Sequence, residues 1–183
     1  KALVAEINLI GGRAVGLSGR DGNLIRARRA DPVNGIDLGL VGIPTQVDTW
    51  ILHHLMKDNY IPVVAPTGMG ENGEMLNVNG DSCAAVLAGG LAAEKLIFLT
   101  DQPGVLADVK DPESLIPHIT YSDLERIKAE GRISGGMMPK LEAARVALDS
   151  DCACVHIIDG RRPHAILLEL FTDAGVGTMV TRR

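Results

Sequence analysis

MLNVNGDSCAAVLAGGLAAEKLIFLT, residues 75–100, decides the class of fold. Glu74 to Asn77 reads as a brief extended segment. Asp81 to Ala93 is a run of very small residues, which predicts a helix able to approach a neighbour closely. Lys95 to Thr100 is a short, nearly continuous apolar run, the signature of a strand buried on both faces. Strand, helix and buried strand in direct succession are the grammar of a sheet covered by helices.

The same alternation extends in both directions. Downstream, Tyr121 to Glu130 predicts a helix with Asp123 and Glu125 in its first turn, where acids suit the helix dipole. Met138 to Leu148 predicts another helix and Val155 to Ile158 a third buried strand. His164 to Thr172 reads as a helix and Gly177 to Thr181 as the last strand. Upstream, Ile61 to Ala65 reads as a buried parallel strand, Thr45 to Lys57 as a helix ended by Asn59, and Ile36 to Val41 as a strand. Ala14 to Leu17 and Asn23 to Arg28 read as a strand and a hairpin arm around the turn Gly19-Arg20-Asp21-Gly22. Leu3, Val4, Ile7 and Ile10 share one face of an opening helix that Gly11-Gly12 breaks. Lys1 is not an initiator Met and no N-cap precedes this helix, so the chain is expected to be incomplete at its N-terminus. The expected fold is α/β: one domain over residues 1–183, an αβα sandwich around a central, mostly parallel sheet.

Composition narrows the function classes. Aromatic residues are 3% of the 183, so the core has to be aliphatic. The net charge of −5 argues against a general binder of nucleic acid or membrane surface. No apolar run approaches the roughly 20 residues of a membrane-spanning helix. Cys83, Cys152 and Cys154 form no disulfide framework, and the lone C-x-C reads as small apolar side chains at a strand edge rather than a metal site. A reducing cytoplasm is expected.

Three clusters can carry chemistry. Asn77-Val78-Asn79-Gly80-Asp81 places two amides and a carboxylate at a strand-to-helix junction, where open α/β sheets collect ligands. The alternative is that Asp81 merely caps the next helix. Asp101-Gln102-Pro103-Gly104-Val105-Leu106 is a sharp loop at a strand's carboxyl end, a place for a nucleotide or simply a turn. Ser134-Gly135-Gly136-Met137-Met138-Pro139-Lys140 exposes backbone N–H groups at a helix start. A lysine in that first turn is unfavourable unless an anion is also present. It reads either as a phosphate site or as a loop with a solvated lysine. Neither G-x-x-x-x-G-K-[ST] nor G-x-G-x-x-G occurs, which disfavours a P-loop kinase and a Rossmann dehydrogenase.

In this order and spacing the clusters resemble the amino acid kinase family, and within it the members that phosphorylate the side-chain carboxylate of N-acetyl-L-glutamate. Asn77 to Asp81 resembles the family's N-x-N-x-D element. Leu99-Thr100-Asp101 with Pro103-Gly104-Val105 resembles its nucleotide loop, and Gly135-Gly136-Met137 with Lys140 its G-G-M-x-x-K element. Leu17 to Gly22 and Val155 to Gly160 match as well, so the resemblance runs along nearly the whole chain. It implies a kinase of arginine biosynthesis that moves the γ-phosphoryl group of ATP, with Mg²⁺ held mainly through the phosphates and no protein metal site. Asn77 is then substrate-binding, Asp81 organises the catalytic lysines, and Lys140 neutralises the transferring phosphoryl group. Asp101, Gln102, Pro103, Gly104, Val105 and Leu106 line the ATP site with Arg132, Ile133 and Ser134. His53 and His54 are left as surface or packing residues.

The resemblance also implies regulation. His156, Glu169 and Gly175 match positions around an L-arginine effector in an arginine-inhibited subgroup. A homo-oligomer and a PII-type regulator are further implied partners. The family's first Gly-rich strand with its lysine, its second Gly-rich loop and its substrate-binding arginine have no counterpart here, so little activity is expected of the 183 residues alone. The alternatives are another member of the family, such as glutamate 5-kinase or carbamate kinase, and a non-catalytic arginine-sensing module.

Overall fold

The computed structural model describes residues 1–129, 136–172 and 175–183. They form two compact units, Lys1–Leu91 and Ala92–Arg183.

In the first unit, α1 (Ala2–Leu9) leads into β1 (Ala14–Ser18), a 3-10 turn (Asp21–Asn23), β2 (Ile25–Arg29) and β3 (Val41–Val47). Then come α2 (Trp50–Lys57), β4 (Ile61–Ala65), β5 (Thr67–Met69), β6 (Met75–Val78) and α3 (Gly80–Gly90). Strand β1 pairs in parallel with β4, from Ala14 opposite Ile61 to Ser18 opposite Ala65. Strands β2, β3, β6 and β5 close into a small barrel. Its filling is aliphatic: Leu24, Ile25, Ala27, Leu76 and Val78, with Leu52 of α2 and Cys83 of α3 packed against them.

Three expectations fail in this unit. The hairpin arm does not return along β1. The Asp21 carboxylate accepts the Ser18 backbone N–H at 2.7 Å, and Ile25 N–H donates to Gly19 O at 2.7 Å. Gly22 and Asn23 at positive φ then swing the chain away. Strand β2 therefore pairs antiparallel with β3, Ile25 opposite Val47 and Arg29 opposite Gly42. The strand expected at Ile36 to Val41 begins only at Val41; before it stands a single bridge between Val33 and Ile36. Thr45 to Val47 belongs to β3 rather than to a helix. Asp48 N–H still donates to Leu24 O at 3.0 Å, and α2 starts only after the Asp48 side chain accepts Trp50 N–H. Strand β4 is parallel, as expected, but its end residues Ile61 and Ala65 are exposed, because among the described residues β1 is its single strand neighbour.

The second unit contains β7 (Lys95–Thr100), β8 (His118–Thr120), α4 (Tyr121–Ala129), α5 (Met137–Asp149), β9 (Cys154–Asp159), α6 (Ala165–Phe171) and β10 (Thr178–Thr181). The sheet order is β7-β9-β10-β8. Strands β7 and β9 run parallel, as do β8 and β10, while β9 and β10 are antiparallel. Helices α5 and α6 pack on β9 and α4 on β8. Val155 to Ile158 are all buried. Successive strand residues face opposite ways, so both faces of β9 are covered. This is the mostly parallel α/β arrangement expected, and it puts the carboxyl ends of β7 and β9 side by side.

Candidate active site

In the first unit, Leu76 and Val78 point into the barrel, so the alternation of β6 turns Asn77 outward, where it is exposed. The chain then enters α3. Its N-cap is Asn79, whose Oδ1 accepts Ser82 N–H at 3.1 Å. Asn79 and not Asp81 is therefore the cap. Asp81 lies in the first turn of α3, where a carboxylate is favoured.

In the second unit, a cavity of about 540 Å³ opens at the carboxyl end of β7. It brings together Thr100, Asp101, Gln102, Gly104, Val105 and Leu106 with Gly136, Met137 and Lys140 from the start of α5. Pro103 shares the loop but does not line the cavity. Arg132, Ile133 and Ser134 lie outside the described residues. Val109 also lines the cavity, a residue no motif had marked.

The loop is pinned from beneath. Val105 N–H donates to Thr178 Oγ1 at 2.9 Å, and that hydroxyl donates to Ile116 O at 2.7 Å. Ile116 N–H returns to Val105 O at 2.8 Å. Thr178 is fully buried, a polar residue kept in the core by its two bonds. Gly104 has φ +148, and a Cβ there would stand 2.8 Å from Thr178 Oγ1 and 2.7 Å from Leu115 Cδ1. Only glycine lets the loop seat on its peg. The sequence held no sign of Thr178, which lies far along the chain on β10.

The N-cap of α5 is Gly136, and the first turn of the helix holds no acid. The N–H groups of a helix's first turn favour an anion. Lys140 Nζ lies 5.9 Å from the centroid of the buried Phe98 ring, within reach of a cation–π attraction. Polar loop, helix start and lysine around one cavity are suited to a phosphate-bearing ligand.

His156, Glu169 and Gly175 also converge. Both acid and base are buried, their side chains 5% and 7% exposed for Glu169 and His156 respectively. His156 Nδ1 donates to Glu169 Oε1 at 2.6 Å, and Glu169 Oε2 accepts Val176 N–H at 2.6 Å and Gly177 N–H at 3.1 Å. Burial alone raises the Glu169 pKa, but the Val176, His156 and Gly177 contacts outweigh it and hold the carboxyl below its ordinary range. Gly175, at φ +60, leaves the space that the Glu169 carboxylate fills. Glu169 is thus not solvated, and both its oxygens already accept hydrogen bonds. Among the described residues, no three His, Cys, Asp or Glu side chains are grouped to hold a metal ion.

The chain belongs to the amino acid kinase family, whose model matches residues 1–159. Its relatives include the acetylglutamate kinase of Methanocaldococcus jannaschii, 44% identical over 98% of this chain and 63% of the relative. That of Desulforamulus reducens is 47% identical over the same shares, and that of Methylobacterium nodulans 46% over the whole chain and 62% of the relative. The chain spans less than two thirds of the length of these proteins. Among solved structures, N-acetylglutamate synthase of Neisseria gonorrhoeae with coenzyme A and N-acetyl-glutamate superposes with a TM-score of 0.84 at 25% identity, over 97% of this chain and 40% of that one. Giardia carbamate kinase, at 16% identity and a TM-score of 0.68 over all of this chain and 67% of that one, shares the fold.

Proposed function

We propose that this protein transfers the γ-phosphoryl group of ATP to the side-chain carboxylate of N-acetyl-L-glutamate, in arginine biosynthesis. The reading is carried by the cavity that joins the Asp101–Leu106 loop to the N-terminus of α5 and Lys140. The resemblance to acetylglutamate kinases supports the choice of acceptor. A carboxylate nucleophile is already ionised near neutral pH, so the reaction needs no strong base. Catalysis is then positioning and charge stabilisation. Lys140 offsets charge on the transferring group, and Gly136 and Met137 offer N–H groups to the phosphates. Thr100 to Leu106, with Arg132, Ile133 and Ser134, hold the nucleotide. Asn77 binds acetylglutamate, and Asp81 orients a catalytic ammonium group. Mg²⁺ arrives on the phosphates. No helix among the described residues is long and apolar enough to cross a membrane, and the cytoplasm is the proposed location.

The test is ATP consumption by the protein at its native length, with Mg²⁺ and a panel of N-acetyl-L-glutamate, L-glutamate and carbamate. Turnover with acetylglutamate alone supports the reading. Turnover with another acceptor moves the protein elsewhere in the family. L-arginine binding without nucleotide binding would mean a sensing module.

A second reading, arginine inhibition, rests on the convergence of His156, Glu169 and Gly175. An entering guanidinium must compete for a carboxylate already bound three times, so arginine binding should rearrange the 175–177 backbone. Calorimetry with L-arginine that shows no heat and no inhibition would reject it.

A further inference from the structure

At the sheet edge that opens onto the cavity, the turn after β9 is built with more care than a solvated turn requires. Thr100, the last residue of β7, stands in register with Asp159, the last of β9. Gly160 N–H donates to Thr100 O at 2.8 Å, and a Cβ on Gly160 would stand 3.1 Å from Leu99 Cβ. The Asp159 carboxylate takes a fork from Arg161. Nε donates to Oδ1 and Nη2 to Oδ2, both at 2.9 Å, and Arg161's own backbone N–H adds a third bond to Oδ1 at 2.9 Å. Planar guanidinium and carboxylate lock each other's direction in such a pair.

We infer that Arg161, clasped by Asp159, is a positioning residue for the nucleotide loop and sets the affinity for ATP through Thr100 and Asp101. This rests on the kinase reading above.

Two observations carry the inference beyond a surface ion pair. The Arg161 side chain is 64% exposed, and exposed pairs contribute little to stability. Stabilising the fold is therefore a poor account of a three-bond clasp. Asp101 lines the cavity, and it would repel a polyphosphate unless a cation offset it. Arg161 follows Asp159 and Gly160, which meet Thr100 by register and by hydrogen bond, so the clasp sets its cation at the strand end from which Asp101 begins. The Asp159 hydrogen bonds and charge, with a smaller contribution from Asp101, also raise the guanidinium's pKa above its ordinary value. The clasp thus keeps a cation at the carboxyl end of β9 while the Gly160–Thr100 bond holds Thr100, the residue before Asp101.

The experiment compares Arg161→Gln, Arg161→Lys and Asp159→Asn with wild type in the protein at native length. It reads KM for ATP, KM for acetylglutamate, kcat, ATP binding by calorimetry and the thermal midpoint. For Arg161→Gln we expect ATP affinity to fall about tenfold, with KM for acetylglutamate and the thermal midpoint little changed. Arg161→Lys keeps the charge without the fork, and Asp159→Asn keeps the charge without its anchor, so both should be intermediate. Unchanged ATP affinity in Arg161→Gln, or equal shifts for both substrates, would overturn the inference. A fall that tracks a lowered thermal midpoint in all three variants would reduce Arg161 to a structural role. Wild type that binds no ATP would show the kinase reading itself to be wrong, and the inference would fall with it.

Discussion

Two polar clusters in the second unit were built in opposite ways. Around the cavity at the end of β7, Asp101 and Gln102 are exposed and the first turn of α5 holds no acid, so polar groups border an open space. Around Glu169, acid and base are buried and both carboxylate oxygens are spent on His156, Val176 and Gly177. The first arrangement is poised for a ligand that arrives with its own charge. The second is complete without one, and any ligand must break bonds already made. Polar residues in a pocket are therefore poor evidence of binding until their existing partners are known.

The contrast can be broken by mutation. Lys140→Met should show the largest effect: loss of a charge that acts on the transition state should lower kcat about 100- to 1,000-fold, with the unfolding midpoint in urea nearly unmoved. A kcat within a few-fold of wild type would remove Lys140 from the machinery. Glu169→Ala should behave in reverse. It strands two buried N–H groups and His156, and should cost about 3 kcal/mol of stability in urea unfolding. No loss would mean that the cluster is not the closed knot described.

Thr178→Val joins the two regions, since its hydroxyl supports the nucleotide loop from inside the core. Removing it leaves Val105 N–H unpaired at a cost of about 1–2 kcal/mol, and ATP affinity should fall several-fold with kcat less affected. The smallest expected effect is on pH. The Glu169 carboxyl is held below its ordinary value near 4.5 by its hydrogen bonds, despite burial. Its contribution to stability is therefore fully present above that ordinary value and lost as pH falls through the lowered one. As pH is lowered from above 4.5, urea midpoints for wild type should drop by more than those of Glu169→Gln. Parallel curves would reject the assignment.

Legibility from sequence followed the length and burial of each element. Cys154–Asp159 is covered on both faces, and its continuous apolar run carried the signal. Lys95–Thr100 was legible as a strand from the same kind of run, but it stands at the edge of the sheet with Leu99 exposed and Phe98 its one buried residue, so the burial expected on both faces fails there. Met137–Asp149, long and periodic, was equally plain. The barrel of the first unit was not. Its strands are short, Thr67–Met69 among them, and which strand pairs with which depends on the Asp21 carboxylate and on the Gly19 carbonyl rather than on any pattern of apolar residues. Within the candidate site, the loop 101–106 and Lys140 could be read as motifs. Thr178 could not, because nothing local marks a threonine whose two hydrogen-bond partners lie on distant segments.

By itself the sequence determined the α/β alternation, the aliphatic core, the family resemblance and the residues proposed to meet phosphate, all of which depend on local pattern and residue chemistry. Tertiary structure alone decided that β2 pairs with β3, that Asn79 and not Asp81 caps α3, that Thr178 supports the 101–106 loop, and that Glu169 is buried with both oxygens bonded. Each of those outcomes is a competition among several partners for one donor or acceptor. That competition is settled by distance in the folded chain, which residue spacing does not encode.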